Sequence, residues 1–105
     1  MSDLPEILKI GAYPISIHGQ DREADAESYG SFSQRNQCIN LSENMATEAL
    51  RATTLLHEIF HAVWWERNIK AKDGEERIVD SLSSGFAQVW RDNPELVEYL
   101  RSALK

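Results

Sequence analysis

The chain has 105 residues, of which 42% are hydrophobic and 27% charged, and this length predicts one domain over residues 1–105. A net charge of −6 argues against nonspecific binding to nucleic acid or to an anionic membrane surface. No apolar run is long enough for a secretory leader or a membrane span, and the single cysteine, Cys38, cannot form an intrachain disulfide, so we expect a cytoplasmic protein.

The first forty residues show short alternating patterns that are typical of strands. Residues 8–18 alternate on either side of Pro14, which predicts two short strands or one bent strand. The charged segment 19–27 predicts a loop. Residues 29–41 alternate again in part, and Arg35-Asn36 in their middle predicts the turn of a hairpin.

Two helices are predicted within residues 44–92. The first begins within residues 44–48 and ends near residue 68. Asp73, followed by Glu76 three residues later, predicts a capping box at the start of the second helix. The second helix is expected to end near residue 92.

A third helix is predicted from the run Asn93-Pro94-Glu95. Asparagine is a favoured N-cap, proline is favoured at the first helical position, and an acid stabilises the first turn. The order of these elements predicts an α+β fold, with a small antiparallel sheet of about three short strands followed by three helices.

The stretch TTLLHEIFHAVWW, residues 53–65, carries three polar side chains within an apolar helical pattern. At about 100° per residue, His61 lies about 40° and Glu58 about 100° around the helix from His57. The apolar side chains lie roughly 160–260° around from His57. The helix therefore has a polar face and a core face, and the core face carries Ala52, Leu55, Leu56, Ile59 and Val63.

The spacing of the two histidines suits a shared metal ion. Imidazoles at i and i+4 can direct their ring nitrogens at one tetrahedral zinc. Zinc lowers the pKa of a bound water, and a carboxylate beside that water can take its proton. H-E-x-x-H matches also arise by chance, but this one lies in mid-helix on the polar face. It predicts His57 and His61 as zinc ligands and Glu58 as the general base.

The second helix offers a third ligand. A catalytic zinc takes three protein ligands and keeps one open position. Glu76 and Asp80 share a helix face at i and i+4, which predicts Glu76 as the ligand. Asp80 is predicted to accept a hydrogen bond from the far N–H of a zinc histidine. Glu75 is a competing ligand, and a capping role is the alternative for Glu76.

The motif HEIFH followed by E-R-I-V-D resembles the gluzincin metallopeptidases, and the element order is similar to ImmA/IrrE-like and small phage-encoded peptidases. The resemblance implies a minimal zincin-like domain with zinc on His57, His61 and Glu76 and with Glu58 as the base. It also implies that a peptide lies along an open strand within residues 29–41. The short separation of His61 and Glu76, and the lack of glycine in the first motif, depart from the family pattern.

These patterns predict a zinc-dependent peptidase that hydrolyses a peptide bond in a protein or peptide, with Glu58 as general base on zinc-bound water. The alternative is a non-catalytic, zinc-stabilised interaction module. No nucleic-acid or membrane partner is expected, and Trp65 is a candidate for lining the cleft. Nothing in the sequence selects among the residues that could stabilise an oxyanion, which are His18, Tyr29, Arg77 and Tyr99.

Overall fold

The computed structural model describes residues 3–20 and 29–105, and this part of the chain forms a sheet followed by three helices. The strands are β1 (Ile7–Ile10), β2 (Tyr13–Gln20), β3 (Gly30–Ser33) and β4 (Cys38–Ser42), and the helices are α1 (Glu48–Glu66), α2 (Glu75–Asp92) and α3 (Pro94–Ala103). The predicted α+β class is confirmed. Of the predicted loop 19–27, residues 19–20 instead belong to β2, and residues 21–27 lie outside the described residues. None of the described helices is long and apolar enough to cross a membrane.

The sheet is mixed, with the order β1-β2-β4-β3. β2 and β4 are parallel, while the other two neighbouring pairs are antiparallel. Ile39 and Leu41 of β4 are fully buried, whereas β3 packs only the partly buried Phe32 against the core. Burial of apolar surface therefore favours β4 inside the sheet and β3 at its edge.

The turn between β1 and β2 lies at Gly11 and Ala12, ahead of Pro14. Gly11 has a φ of 61°, a conformation that glycine adopts without steric cost. Pro14 lies within β2 opposite Lys9, whose backbone N–H and C=O both bond to the Asn93 side chain. Because this position of the ladder needs no donor from Pro14, the strand tolerates the proline.

The hydrophobic core lies between the sheet and α1, and α2 and α3 close it. The predicted apolar face of α1 is confirmed at Ala52, Leu55, Ile59 and Val63, which are fully buried, whereas Leu56 is only partly buried. The strands contribute alternate residues from the opposite side, including Leu8, Ile10, Ile15 and Ile17. Each buried Leu or Ile contributes about 1.5–3 kcal/mol, so this face fixes α1 on the sheet.

The starts of α1 and α2 are capped differently from each other. Thr47 caps α1, and its hydroxyl accepts a hydrogen bond from the backbone N–H three residues later at 3.1 Å. The predicted capping box of Asp73 and Glu76 is wrong, because the N-cap of α2 is Gly74, which has no side-chain cap bond. The Asp73 carboxylate instead accepts from the Lys70 N–H at 2.7 Å, which closes the turn before the helix.

Asn93 occupies the predicted N-cap position of α3, but its side chain makes no capping bond. Its Oδ1 accepts from the Lys9 N–H at 2.8 Å, and its Nδ2 donates to the C=O of Lys9 at 2.9 Å and of Val89 at 2.8 Å. Gln88 adds bonds to the Lys9 C=O at 3.0 Å and to the Gly11 N–H at 2.7 Å. The two amide side chains therefore cover the C-terminal part of the outer edge of β1.

Candidate metal centre

His57 and His61 lie one turn apart on the exposed face of α1. Their Nε2 atoms are 3.1 Å apart and their rings are inclined at 71°, so the N–H of one ring donates to the nitrogen of the other. Two nitrogens held at ~2.0–2.1 Å from one tetrahedral ion lie about 3.3 Å from each other. The two imidazoles thus converge at nearly the spacing that one zinc ion requires.

Glu58 completes a group with the two histidines, since one potential ligand atom from each residue lies within 4.8 Å of the others. The side chain is only 6% exposed. No described residue forms a hydrogen bond or an ion pair with its carboxylate. Its oxygens reach the open cleft, because the fully buried side-chain atoms without a partner among the described residues are Arg51 Nε and Arg67 Nε. The carboxylate is therefore placed to meet a bound ligand.

The group lies in a depression of about 520 Å³ between α1 and β3. Its other described lining residues are Gly30, Ser31, Phe32, Gln34, Trp64 and Trp65. Trp65, a predicted candidate for lining the cleft, does line it, with its ring centroid 5.7 Å from that of Phe32. β3 is an outer strand of the sheet, so a strand edge lies directly beside the two histidines.

A second depression, of about 470 Å³, lies on the α2 side of the same histidines. Phe60, Trp64 and Leu82 line it together with His57 and His61. Around the axis of α1, Phe60 and Trp64 lie about 60° and 20° from His57, on the side away from Glu58. The position of Phe60 beside the histidines could therefore have been predicted from the sequence, although Phe60 was not among the predicted site residues. Leu82 could not be found in this way because its place depends on how α2 packs.

Glu76 and Asp80 do not join this group. Both are exposed on α2, and neither is among the described side chains whose ligand atoms lie within 4.8 Å of one another. The competing ligand Glu75 is also exposed, in the first turn of the same helix. The structure thus brings together the two histidines and Glu58, while the roles of Glu76 and Asp80 stay predictions.

None of the four oxyanion candidates, His18, Tyr29, Arg77 and Tyr99, lines either depression. Tyr99 is buried, and its O–H donates to Glu48 at 3.4 Å. Burial raises the pKa of Tyr99, and the negative charge of Glu48 raises it further. The His18 ring bonds to a serine of its own strand at 2.9 Å, and Arg77 donates to a serine of α2 at 2.9 Å. The oxyanion role therefore has no candidate among these residues on geometric grounds.

No protein-family model, curated protein or solved structure matches this chain. The resemblance to gluzincin and ImmA/IrrE-like peptidases therefore stays a prediction. The case for a function therefore depends on the side chains of the site, which are two convergent imidazoles and a carboxylate that lines the cleft beside an outer strand.

Proposed function

We propose that the protein is a zinc-dependent peptidase that hydrolyses a peptide bond in a protein or peptide substrate. The proposal depends on one observation, the convergence of the His57 and His61 Nε2 atoms at 3.1 Å beside the carboxylate of Glu58, which lines the same cleft. Imidazole nitrogens are common zinc ligands, and this pair fits one ion. Zinc held there would polarise a substrate carbonyl and activate a water molecule.

Glu58 is the proton-transfer group in this proposal. Its carboxylate lines the cleft and has no hydrogen-bond partner among the described residues, so either of its oxygens is available to accept one proton. The carboxylate would take a proton from the attacking water and pass it to the leaving amine. Its burial limits the positions that the side chain can adopt, which holds the carboxylate beside the reacting groups.

The substrate would lie as an extended strand along β3. Strand addition to a sheet edge gives affinity through main-chain hydrogen bonds, and β3 is the outer strand that lines the cleft. On the opposite outer strand, β1, the backbone groups of Lys9 are already bonded to Asn93 and Gln88. We propose no nucleic-acid or membrane partner, and a cytoplasmic protein as the setting, since the single cysteine is Cys38.

Glu76 is the proposed third zinc ligand, and Asp80 would orient one of the zinc histidines. One observation favours a second candidate function, a zinc-stabilised interaction module without hydrolysis. Glu58 itself belongs to the group that could hold a metal ion, so it could act as the third ligand instead of as a base. The two functions therefore differ in what Glu58 does.

The variant Glu58→Gln separates the two functions. Zinc content is measured by elemental mass spectrometry on protein purified without added zinc, and hydrolysis is measured with casein, an unstructured protein. Under the peptidase proposal, Glu58→Gln keeps about one zinc ion and loses hydrolysis, whereas His61→Ala loses both. Loss of zinc from Glu58→Gln would identify Glu58 as a ligand and support the module. Wild-type protein without zinc would reject both functions.

The third ligand is tested by two matched variants, Glu76→Gln and Glu75→Gln. Loss of a group that only orients a ligand typically costs 10–100-fold in metal affinity, so Asp80→Asn is expected to fall within about that range. Glu76→Gln is expected to weaken zinc affinity by more than this, and Glu75→Gln to leave it unchanged. The reverse order of the two glutamate variants would assign the ligand to Glu75.

A further inference from the structure

An apolar trough extends from the two histidines toward the C-terminus of α3. We define the apolar trough as the surface formed by Phe60, Trp64, Leu82, Phe86, Trp90 and Leu104. It joins the depression of about 470 Å³ beside the histidines to another of about 380 Å³, and both are lined by Phe60. Each depression falls within the ~300–1,000 Å³ of typical ligand sites.

The aromatic side chains of the trough form a continuous surface. Phe60 stacks on Phe86 with ring centroids 5.1 Å apart and an interplanar angle of 20°. The Phe86 ring lies 6.1 Å from that of Trp90, farther along α2. The trough thus connects α1 to α2 without an interrupting polar side chain in this row.

Large side chains of the trough face solvent. Phe60 is 39% exposed, Trp90 44% and Leu104 42%. A single exposed apolar residue is ordinary, but a contiguous apolar surface marks a contact site. The only charged side chain that lines either depression, apart from the histidines, is Arg101 among the described residues. The occupant of the trough is therefore expected to be apolar.

The position of the trough indicates what that occupant is. Phe60 and Trp64 alternate with His57 and His61 along one face of α1, so a molecule that reaches the histidines also contacts the trough. The β3 side of the same histidines is more polar and offers the strand backbone, Ser31 and Gln34. The two sides of the site thus suit two parts of a polypeptide, its main chain and its side chains.

We infer that the apolar trough binds bulky aliphatic or aromatic side chains of the substrate, beside the bond that is cut and on its α2 side. This inference rests on the proposed peptidase function and names its substrate class, which is an extended polypeptide segment with large apolar residues. Burial of one Leu or Phe side chain in the trough is expected to change kcat/KM by about tenfold or more.

Cleavage specificity provides the first test. The zinc-loaded protein is incubated with a pool of peptides randomised at every position, and the cut sites are identified by mass spectrometry. The wild type is expected to enrich apolar residues about tenfold on one side of the cut. Phe60→Ser and Trp90→Ser should each lose most of this enrichment. The control variant Ile7→Ser, which removes a side chain that is 53% exposed on β1, should keep it.

The two proposals fail in different ways in this assay. Cleavage by the wild type without any apolar preference would overturn the trough inference and leave the peptidase function intact. Cleavage with a preference that survives in both trough variants would also overturn the inference. Absence of all cleavage would reject the peptidase function, and a binding measurement then decides on the trough.

Binding is measured on the Glu58→Gln variant by NMR of the Trp90 indole N–H, which is assigned with Trp90→Phe. The probes are a short peptide with a central Leu-Leu pair and its Ser-Ser analogue. The Leu-Leu peptide is expected to shift the Trp90 signal, and the Ser-Ser peptide to leave it in place. No shift with either peptide overturns the inference. A Trp90 signal that shifts with protein concentration alone would assign the trough to a second copy of the chain, and this result would also overturn the inference.

Discussion

Replacement of Asn93 by Asp tests whether this side chain acts as a helix cap or as a clamp, by which we mean its hydrogen bonds to the backbone of Lys9 and Val89. Asn and Asp are about equally good N-caps, so a capping residue would tolerate the change. Asn93 is 1% exposed and uses Nδ2 to donate to the C=O groups of Lys9 and Val89 at 2.9 and 2.8 Å. Aspartate has no such donor, and it places a carboxylate oxygen against these carbonyl oxygens.

The expected cost follows from the bonds that are lost. Each hydrogen bond contributes about 1 kcal/mol, and a buried acceptor without its donor costs about 1–3 kcal/mol. We therefore expect Asn93→Asp to lower the free energy of unfolding by about 2–4 kcal/mol, out of the ~5–15 kcal/mol that is typical of a domain. At ~4–8 °C per kcal/mol, Tm should fall by roughly 10 °C or more.

The assay is urea denaturation of the metal-free protein followed by far-UV circular dichroism, with the m-value checked for constancy. Thr47→Asp is the matched control, because the Thr47 side chain does cap its helix, and it should change stability by less than ~0.5 kcal/mol. If Asn93→Asp were as stable as the control, the clamp would be refuted and Asn93 would be an ordinary cap.

Three further predictions concern packing, pH and metal. Gly85→Ala places a Cβ 2.5 Å from Val63 Cγ1, which should cost about 1–3 kcal/mol through overpacking. This cost should exceed the ~1 kcal/mol that alanine gains in helix propensity, so urea denaturation should show a lower free energy of unfolding. Glu48→Gln should lower the raised pKa of Tyr99 toward its ordinary value in an ultraviolet titration, although burial, the larger cause, remains. A Tyr99 titration that is unchanged in Glu48→Gln would contradict this role of Glu48. Because the pKa of Tyr99 is higher in the folded than in the unfolded state, its contribution to stability is complete below the unfolded pKa and is lost as pH rises through the folded pKa. Zinc at about 100 times its Kd should raise the free energy of unfolding by about 2.7 kcal/mol, a chelator should reverse the rise, and His61→Ala should show neither effect.

The parts of the fold that depend on local sequence could be predicted. The apolar period placed α1 on the sheet with Leu55, Ile59 and Val63 inward, and Pro94 marked the start of α3. The mixed sheet could not be read in the same way, because β2 and β4 are distant in the sequence and their pairing depends on which strand buries more apolar surface. The Asn93 side chain bonds to a partner 84 residues away, so the local pattern predicted its position at the N-cap but not the partner of its side chain.

The same division applies to the site. His57, Glu58 and His61 come from one helix, so helical geometry alone predicted that they meet. The same helical geometry could have identified Phe60 as a residue of the site. Leu82 and Glu76 lie on another helix, and their distance from the histidines depends on the turn at residues 67–74 and on the contact of Gly85 with Val63. Sequence spacing carries no information about that contact.

The clamp on β1 also bears on self-assembly of the protein. Exposed strand edges act as templates for aggregation, and a molecule with two such edges can add copies in both directions to build a fibre. Because Asn93 and Gln88 occupy the backbone groups of Lys9 and Gly11, this part of the β1 edge cannot accept another strand, which favours growth of the sheet at β3. Two molecules that met through their β3 edges would form a closed pair and could not propagate. The protein can thus present one receptive strand while avoiding polymerisation, and loss of the clamp would be expected to expose it to fibril growth.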